Sequence, residues 1–550
     1  MPDTMRGVYT NLTKIRRQVF REVARAAYLA GDVNPDWADR LPYEILPGDK
    51  ATYRESIFIE RAIVGARIRL AMGLNLLPVD EPNKISDGLK EAERPEAYYE
   101  PPLVNIIKFA CHACPENSYK VTDQCQGCLA HPCQEVCPKD AISFVNHRAH
   151  IDQDKCIKCG RCAGVCPYSA IVHRNRPCAA ACGMHCIGSD EQGRADIDYD
   201  RCVSCGQCLI NCPFGAIADK SQIFQVIKAI KSGAEVIAAV APAFVGQYGG
   251  RGDVGKLREM FEILGFSGVE EVAIGADLCT VQEAEDFLEE VPEKLPFMAT
   301  SCCPAWASMA KKEFPDNANC ISMALTPMTL TARFLREQHP DAKIVFVGPC
   351  SAKKLEAMRT SVRSEVDFVL TFEEVAGMME ALEVDYTALP KPDDNDFGAA
   401  SADGRGFAVS GGVANAVVNA VKRMEPDREV NVFAAEGLDE CRKMMRDAVK
   451  GKYPGYLIEG MACPGGCVAG AGTLQGIKKS QAQVKAYMKR SPRKNATENG
   501  YRMQLPELLA MGRDEPDDAP VPPRNERRVP APEELRETLS VETVEDPAEQ

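Results

Sequence analysis

The chain has 550 residues, 45% of them apolar and 26% charged, which is enough for about three or four domains with ample core. Its net charge of −14 argues against nucleic acid as a partner. No run of about 18 apolar residues occurs, which excludes a membrane-spanning helix, and no apolar run behind basic residues opens the chain, so no secretory signal of the usual kind is expected.

Residues 1–105 contain no cysteine. Segments 13–31 and 54–74 carry apolar residues at helical spacing, which predicts a helical N-terminal region packed on the rest of the protein. The whole chain holds 25 cysteines, most of them at spacings of two and three, and nothing directs it to an oxidising compartment. Iron–sulfur clusters in a cytoplasmic protein are therefore expected, rather than disulfides.

Residues 106–220 hold 17 cysteines and read as a ferredoxin-like region with several 4Fe-4S clusters. Two runs match C-x2-C-x2-C-x3-C-P without a fault: Cys156, Cys159, Cys162, Cys166, and Cys202, Cys205, Cys208, Cys212. In two-cluster ferredoxins the fourth cysteine of each run serves the other cluster. This predicts one cluster on Cys156, Cys159, Cys162 and Cys212, and another on Cys202, Cys205, Cys208 and Cys166. Two weaker copies of the pattern add Cys125, Cys128, Cys133 and Cys137, and Cys178, Cys182 and Cys186. The separate pair Cys111 and Cys114 is placed to supply ligands missing from the latter. The expectation is two to four additional 4Fe-4S clusters with one thiol left over, forming an electron wire that needs a redox centre at its end.

An amphipathic helix at 221–233 leads into residues 221–480. There strand-like segments (236–244, VEEVAIGA at 269–276, 343–348, 430–437) alternate with helical ones such as QEAEDFLEEV and CRKMMRDAVKG. The fold class expected is an α+β ferredoxin-like iron–sulfur region followed by an α/β catalytic domain with mainly parallel sheets, ligands gathering at strand C-terminal ends. Residues 481–550 form a C-terminal extension, rich in proline and charge from about 505 and expected to be mostly a disordered tail.

Three cysteine loops remain in the second half: TSCCPAW at 300–306, GPCSAKKLE at 348–356 and EGMACPGGC at 459–467. In the last, two cysteines four apart on a glycine-rich turn read as metal ligands. These three loops, in this order behind a ferredoxin-like region, resemble the iron-only (di-iron, FeFe) hydrogenases over residues 125–475. The resemblance implies that Cys303, Cys350, Cys463 and Cys467 ligate a 4Fe-4S cluster, with Cys467 bridging to a di-iron subcluster that carries CO, cyanide and azadithiolate. This is the H-cluster, at which protons and electrons are interconverted with dihydrogen. It also implies that Cys302 carries protons and that Lys353 donates to a cyanide ligand. Glu283, Ser322 and Asp286 match a proton relay, with Asp286 standing where glutamate is usual. Ala241, Pro242, Pro327, Phe407 and Met461 match residues lining the cofactor pocket.

The chain also departs from the family pattern. Gly348 stands where methionine is common, Ala243 and Thr326 where serine is usual, Met328 where glutamine, Ala305 where glycine, and GAGTL where GGGQP. These changes suggest a divergent class carrying TSCCPAW. Ferredoxin or a similar one-electron carrier and the di-iron maturation proteins are the partners implied. A hydrogen-sensing relative of low turnover and a non-catalytic iron–sulfur assembly protein are the alternatives. Cys279, Cys320 and Cys441 lie outside every motif and read as core thiols.

Overall fold

The computed structural model describes residues 7–29, 34–78, 80–94, 100–250, 252–359, 362, 365–390 and 398–511. Most of the tail expected at the C-terminus, 512–550, lies outside the described residues.

The second half is built on two parallel sheets. One has four strands in the order Gly268–Glu271, Val236–Val240, Lys343–Gly348, Phe368–Thr371. The other has three, in the order Met298–Ala299, Tyr456–Met461, Asn431–Glu436. VIAAV is apolar at every position because Val236–Val240 is a central strand, buried on both faces. The expected strand VEEVAIGA splits. Its first half pairs as Gly268–Glu271, and an 18-residue helix, Ala273–Glu290, takes over from there. Small residues allow this change. A Cβ on Gly275 would fall 2.3 Å from Pro327 O, so the helix lies directly against the start of its neighbour, Pro327–Gln338.

The cluster region contains only two-stranded antiparallel ribbons. Ribbon Ser118–Val121/Ile171–Arg174 closes one unit around ribbon Ile142–Val145/Arg148–Ile151. Ribbon Val104–Ile106/Ile217–Asp219 closes a second around Ile187–Ser189/Ala195–Ile197. The first unit is inserted into the second, between 106 and 176.

The N-terminal helices span the joint between the two halves. Asn11–Tyr28 packs on Phe372–Ala381 and Ile223–Lys231, with Arg17 paired to Glu380 at 2.8 Å and Arg16 to Glu373. Ile57–Ala71 packs on the cluster region, where the Arg67 guanidinium donates to Gly215 O. At the other end, residues expected to begin a loose tail instead form the helix Leu505–Ala510. Leu505 and Leu508 are buried, and Arg333 donates to Leu508 O at 3.0 Å. No helix among the described residues is long and apolar enough to cross a membrane.

Candidate metal centre

The three cysteine loops leave the C-terminal ends of three parallel strands and meet. Cys302 and Cys303 follow Met298–Ala299, Cys350 follows Lys343–Gly348, and Cys463 and Cys467 follow Tyr456–Met461. All five line one cavity of about 80 Å³, together with Ala241, Pro242, Pro327, Phe407, Met461 and Lys353. Every pocket residue expected from the sequence is therefore at this cavity, and among the described residues Lys353 is the one charged side chain in its wall.

Local features fix each loop. Trp306 donates its indole N–H to Thr300 O at 3.0 Å, and its ring occupies the space a Cβ on Gly460 would need. This clamps the first loop to the strand carrying the third. Cys303 stands at the N-cap of the helix Pro304–Glu313, where burial pushes its thiol up and the backbone N–H groups of Ala462, Trp306 and Ala305 pull the other way. Gly465 and Gly466 adopt φ of 97° and 89°, a region closed to other residues without strain, and a Cβ on Gly466 would lie 2.5 Å from Ser410 N. Glu436 accepts from Gly465 N–H at 2.7 Å and holds the turn in place.

Lys353 is buried, with its ammonium 2.7 Å from Glu356 Oε2, an ion pair whose angles fall outside hydrogen-bond geometry. Glu356 also accepts from Thr326 Oγ1 at 2.5 Å. Glu356 was not singled out in the sequence, although its position three residues after Lys353 on a helix places the two side chains together. Lys354 is fully buried as well, and pairs with Asp219 and Glu374, both at 2.9 Å. Neither lysine is a surface charge.

The departures from the family pattern fall into place here. A Cβ on Gly348 would lie 2.3 Å from the Phe346 ring, so Phe346, two residues earlier on the same face, fills that part of the wall. Ala243 and Met328 make the wall apolar. In GAGTL, Gly470 lies against Pro349 O and Gly472 against Thr371, while Ala471 packs on Gly206 of the cluster region.

Glu283 is fully buried on the helix Ala273–Glu290. Its Oε1 accepts from Ser301 N–H at 3.4 Å and its Oε2 has no partner. Burial pushes this carboxyl up to about 7, against the pull of the nearby Ser322 hydroxyl. Asp286, one turn on, is half-buried. Burial first, then the charges of Glu290, Glu285 and Glu289, raise it to about 6. Burial and then Glu283 keep the Cys302 thiol protonated. Glu283 thus lies near enough to both the Cys302 thiol and Asp286 for their charges to matter to one another, with Ser322 beside it. Cys279, Cys320 and Cys441 are all core residues.

In the cluster region the cysteines form four groups. Cys125, Cys128, Cys133 and Cys166 ring one cavity, and Cys137, Cys156, Cys159 and Cys162 a second. Cys111, Cys114, Cys178 and Cys212 ring a third. Cys182, Cys186, Cys202, Cys205 and Cys208 gather as a fourth group. This corrects the pairing expected between the two faultless runs. Cys212 does not join Cys156, Cys159 and Cys162, nor Cys166 the later run. Each faultless run instead exchanges its fourth cysteine with the imperfect copy preceding it, because the closing ribbons bring those halves together. The pair Cys111 and Cys114 lies with Cys178 of the third half-unit, but around a cavity shared with Cys212 and not with Cys182 and Cys186.

Among the described residues no three ligand side chains converge on one point as for a single bare ion. Thiols spread around a cavity suit a polynuclear cluster instead. The first C-x-x-C of each of the four half-units supports that fit: the third residues of these turns, Ala113, Gly127, Lys158 and Ser204, have φ of 44°, 56°, 58° and 50°. Three of these four are not glycine, and the left-handed turn aims N–H groups at sulfur, as in Lys158 N to Cys156 Sγ and Ser204 N to Cys202 Sγ, both 3.4 Å. The fourth group adjoins the main cavity. Gln207, unremarked in the sequence, donates to Cys463 Sγ at 3.2 Å. At the main cavity the donor set also fits: four thiols for an iron–sulfur cluster, and the Lys353 ammonium, positioned by Glu356, at the wall beside them.

Comparison with known proteins finds matching family models, curated relatives and solved structures. The profile "Iron only hydrogenase large subunit, C-terminal domain" matches residues 234–471, an LdpA Fe-S cluster-binding domain 125–175 and a 4Fe-4S binding domain 194–217. Iron hydrogenase 1 of Clostridium pasteurianum is 30% identical over 61% of this chain and 67% of its own. The periplasmic Fe hydrogenase large subunit of Nitratidesulfovibrio vulgaris is 30% identical over 59% of this chain and 86% of its own. The nuclear prelamin A recognition factor of Xenopus laevis is 26% identical over 40% of this chain and 59% of its own. Among solved structures, an FeFe-hydrogenase of Chlamydomonas reinhardtii is 22% identical, covering 54% of this chain and 92% of that one with a TM-score of 0.42.

Proposed function

This chain belongs to the iron-only hydrogenase family, and from that premise we propose that it is a hydrogenase, interconverting dihydrogen with two protons and two electrons. The observation that carries the reading is the single buried cavity in which Cys303, Cys350, Cys463 and Cys467 meet Cys302 and Lys353. The four thiols would hold a 4Fe-4S cluster, with Cys467 shared with a di-iron unit. When bound, that unit, with its CO, cyanide and azadithiolate, supplies an open metal position and an adjacent base.

The chain's own residues do the rest. Lys353, held by Glu356, presents a fixed cation to an anionic ligand in an apolar wall, where its field is little screened. Cys302 holds a proton at the wall. Glu283 exchanges it, being raised close to neutrality, where a general acid–base group works best. Asp286, more acidic and half-exposed, links the route to solvent. Electrons would pass along the four N-terminal thiol groups, the last of which meets Cys463 through Gln207. A ferredoxin-type carrier would load them, and the setting would be cytoplasmic.

The prelamin A recognition factor motivates the second reading, an iron–sulfur protein without turnover. The pairing of Cys302 with Lys353 in one cavity favours the enzyme, since cluster binding alone requires neither. The test is hydrogen evolution from reduced viologen by protein matured with the di-iron assembly machinery. Turnover supports the proposal; a fully iron-loaded protein without turnover leaves the second reading.

A further inference from the structure

One position sets the third ferredoxin half-unit apart from its three sisters. Four residues after the last cysteine of each sister stands an alanine: Ala141 after Cys137, Ala170 after Cys166, Ala216 after Cys212. Each alanine N–H donates to that cysteine's sulfur, at 3.3, 3.4 and 3.3 Å. In the third half-unit the cysteine is Cys182 and the residue four on is Cys186. The Cys186 backbone N–H makes the same contact to the Cys182 sulfur. Where its sisters carry a methyl group, Cys186 carries a thiol, buried, 3.4 Å from Cys182 Sγ and beside Cys202. The other three groups have four thiols each; this one has five.

The position of the fifth thiol matters. This is the group whose loop touches the main cavity, through Gln207 on Cys463 and Gly206 against Ala471 and Ser351. Repeat position assigns Cys182 the ligand role, since it stands where Cys137, Cys166 and Cys212 stand.

We propose that Cys186 is a buried S–H donor to the Cys182 sulfur, not a ligand, and that it raises the reduction potential of the cluster next to the catalytic centre. The inference rests on the reading that Cys182, Cys202, Cys205 and Cys208 hold a 4Fe-4S cluster. A thiol is a weak donor, but the site is dry, and a donor to a cluster sulfur offsets part of the negative charge added on reduction. An electron arriving along the wire is thereby held one step from where it is used.

The test needs no di-iron unit and no turnover. The full chain is reconstituted with iron and sulfide, its iron content measured, and its clusters titrated by electron paramagnetic resonance at set potentials. Cys186→Ala installs the residue of the three sister positions. It should keep the full iron content and shift one midpoint potential downward. Cys186→Ser, which restores a donor, should recover part of that shift. Loss of one cluster's iron in the alanine variant would make Cys186 a ligand and overturn the proposal. Potentials unchanged in both variants would overturn it as well. Wild-type protein lacking iron at this site would instead remove the cluster reading beneath it.

Discussion

Glu283→Gln should gain stability relative to the wild type as pH rises, and should be less active. The carboxyl is fully buried, one of its oxygens has no partner, and it is raised from its ordinary 4.5 to about 7. Because the folded state holds this proton more tightly than the unfolded one, the group destabilises the fold as pH rises from about 4.5 to about 7. At about 1.4 kcal/mol per pH unit, the full effect is about 3 kcal/mol above neutrality, an order-of-magnitude figure. Glutamine carries no such charge. A constant cost of about 1–3 kcal/mol for an imperfectly bonded amide is the same at every pH. The difference in denaturation midpoint between variant and wild type should therefore move in the variant's favour between pH 5 and pH 8. Hydrogen turnover should fall by a factor of about 100 or more, the usual contribution of a positioned acid–base group. Unchanged turnover would refute the relay. A stability difference independent of pH would refute the raised carboxyl.

Cys302→Ser should retain all cluster iron and lose most turnover, measured on one sample by iron assay and hydrogen evolution; lost iron would make it a ligand. Glu356→Ala leaves the Lys353 ammonium buried and unpaired, and should cost about 3–5 kcal/mol in the denaturation midpoint. Glu356→Gln, retaining an acceptor for Thr326, should cost less. Gln207→Leu removes the 3.2 Å hydrogen bond to Cys463 Sγ and should lower the midpoint potential of the cluster in the main cavity, read by redox titration. Gly466→Ala puts a Cβ 2.5 Å from Ser410 N at φ 89°, and should abolish iron loading at the main cavity while leaving the N-terminal clusters intact.

The sequence was most informative where chemistry demands fixed spacing. Cys303, Cys350, Cys463 and Cys467 lie more than a hundred residues apart at the extremes, yet each sits in a short motif after an apolar strand segment, and parallel topology brings such ends together. Less was legible where partners are chosen in three dimensions. The ferredoxin spacing says that Cys166 and Cys212 serve a neighbouring cluster, but ribbon pairing between 118–121 and 171–174 decides which one. Lys353 and Lys354 look alike in sequence, and burial sends one to the cavity and the other to Asp219 across the joint. VEEVAIGA reads as a strand because its residues are apolar and β-branched in part. Its second half is a helix because Gly275 permits a contact that no larger residue could. Gly348 shows the same limit: in sequence it is only a departure, and the shared strand face shows that the Phe346 ring fills the space a side chain there would need.

The central claim is that the main cavity holds a di-iron unit on the four-thiol cluster. Infrared spectroscopy of the protein matured with the di-iron assembly machinery tests it most directly. The account predicts sharp CO and cyanide bands that change when the sample is moved between hydrogen and argon. A protein with its iron–sulfur clusters fully assembled and no such bands would contradict it.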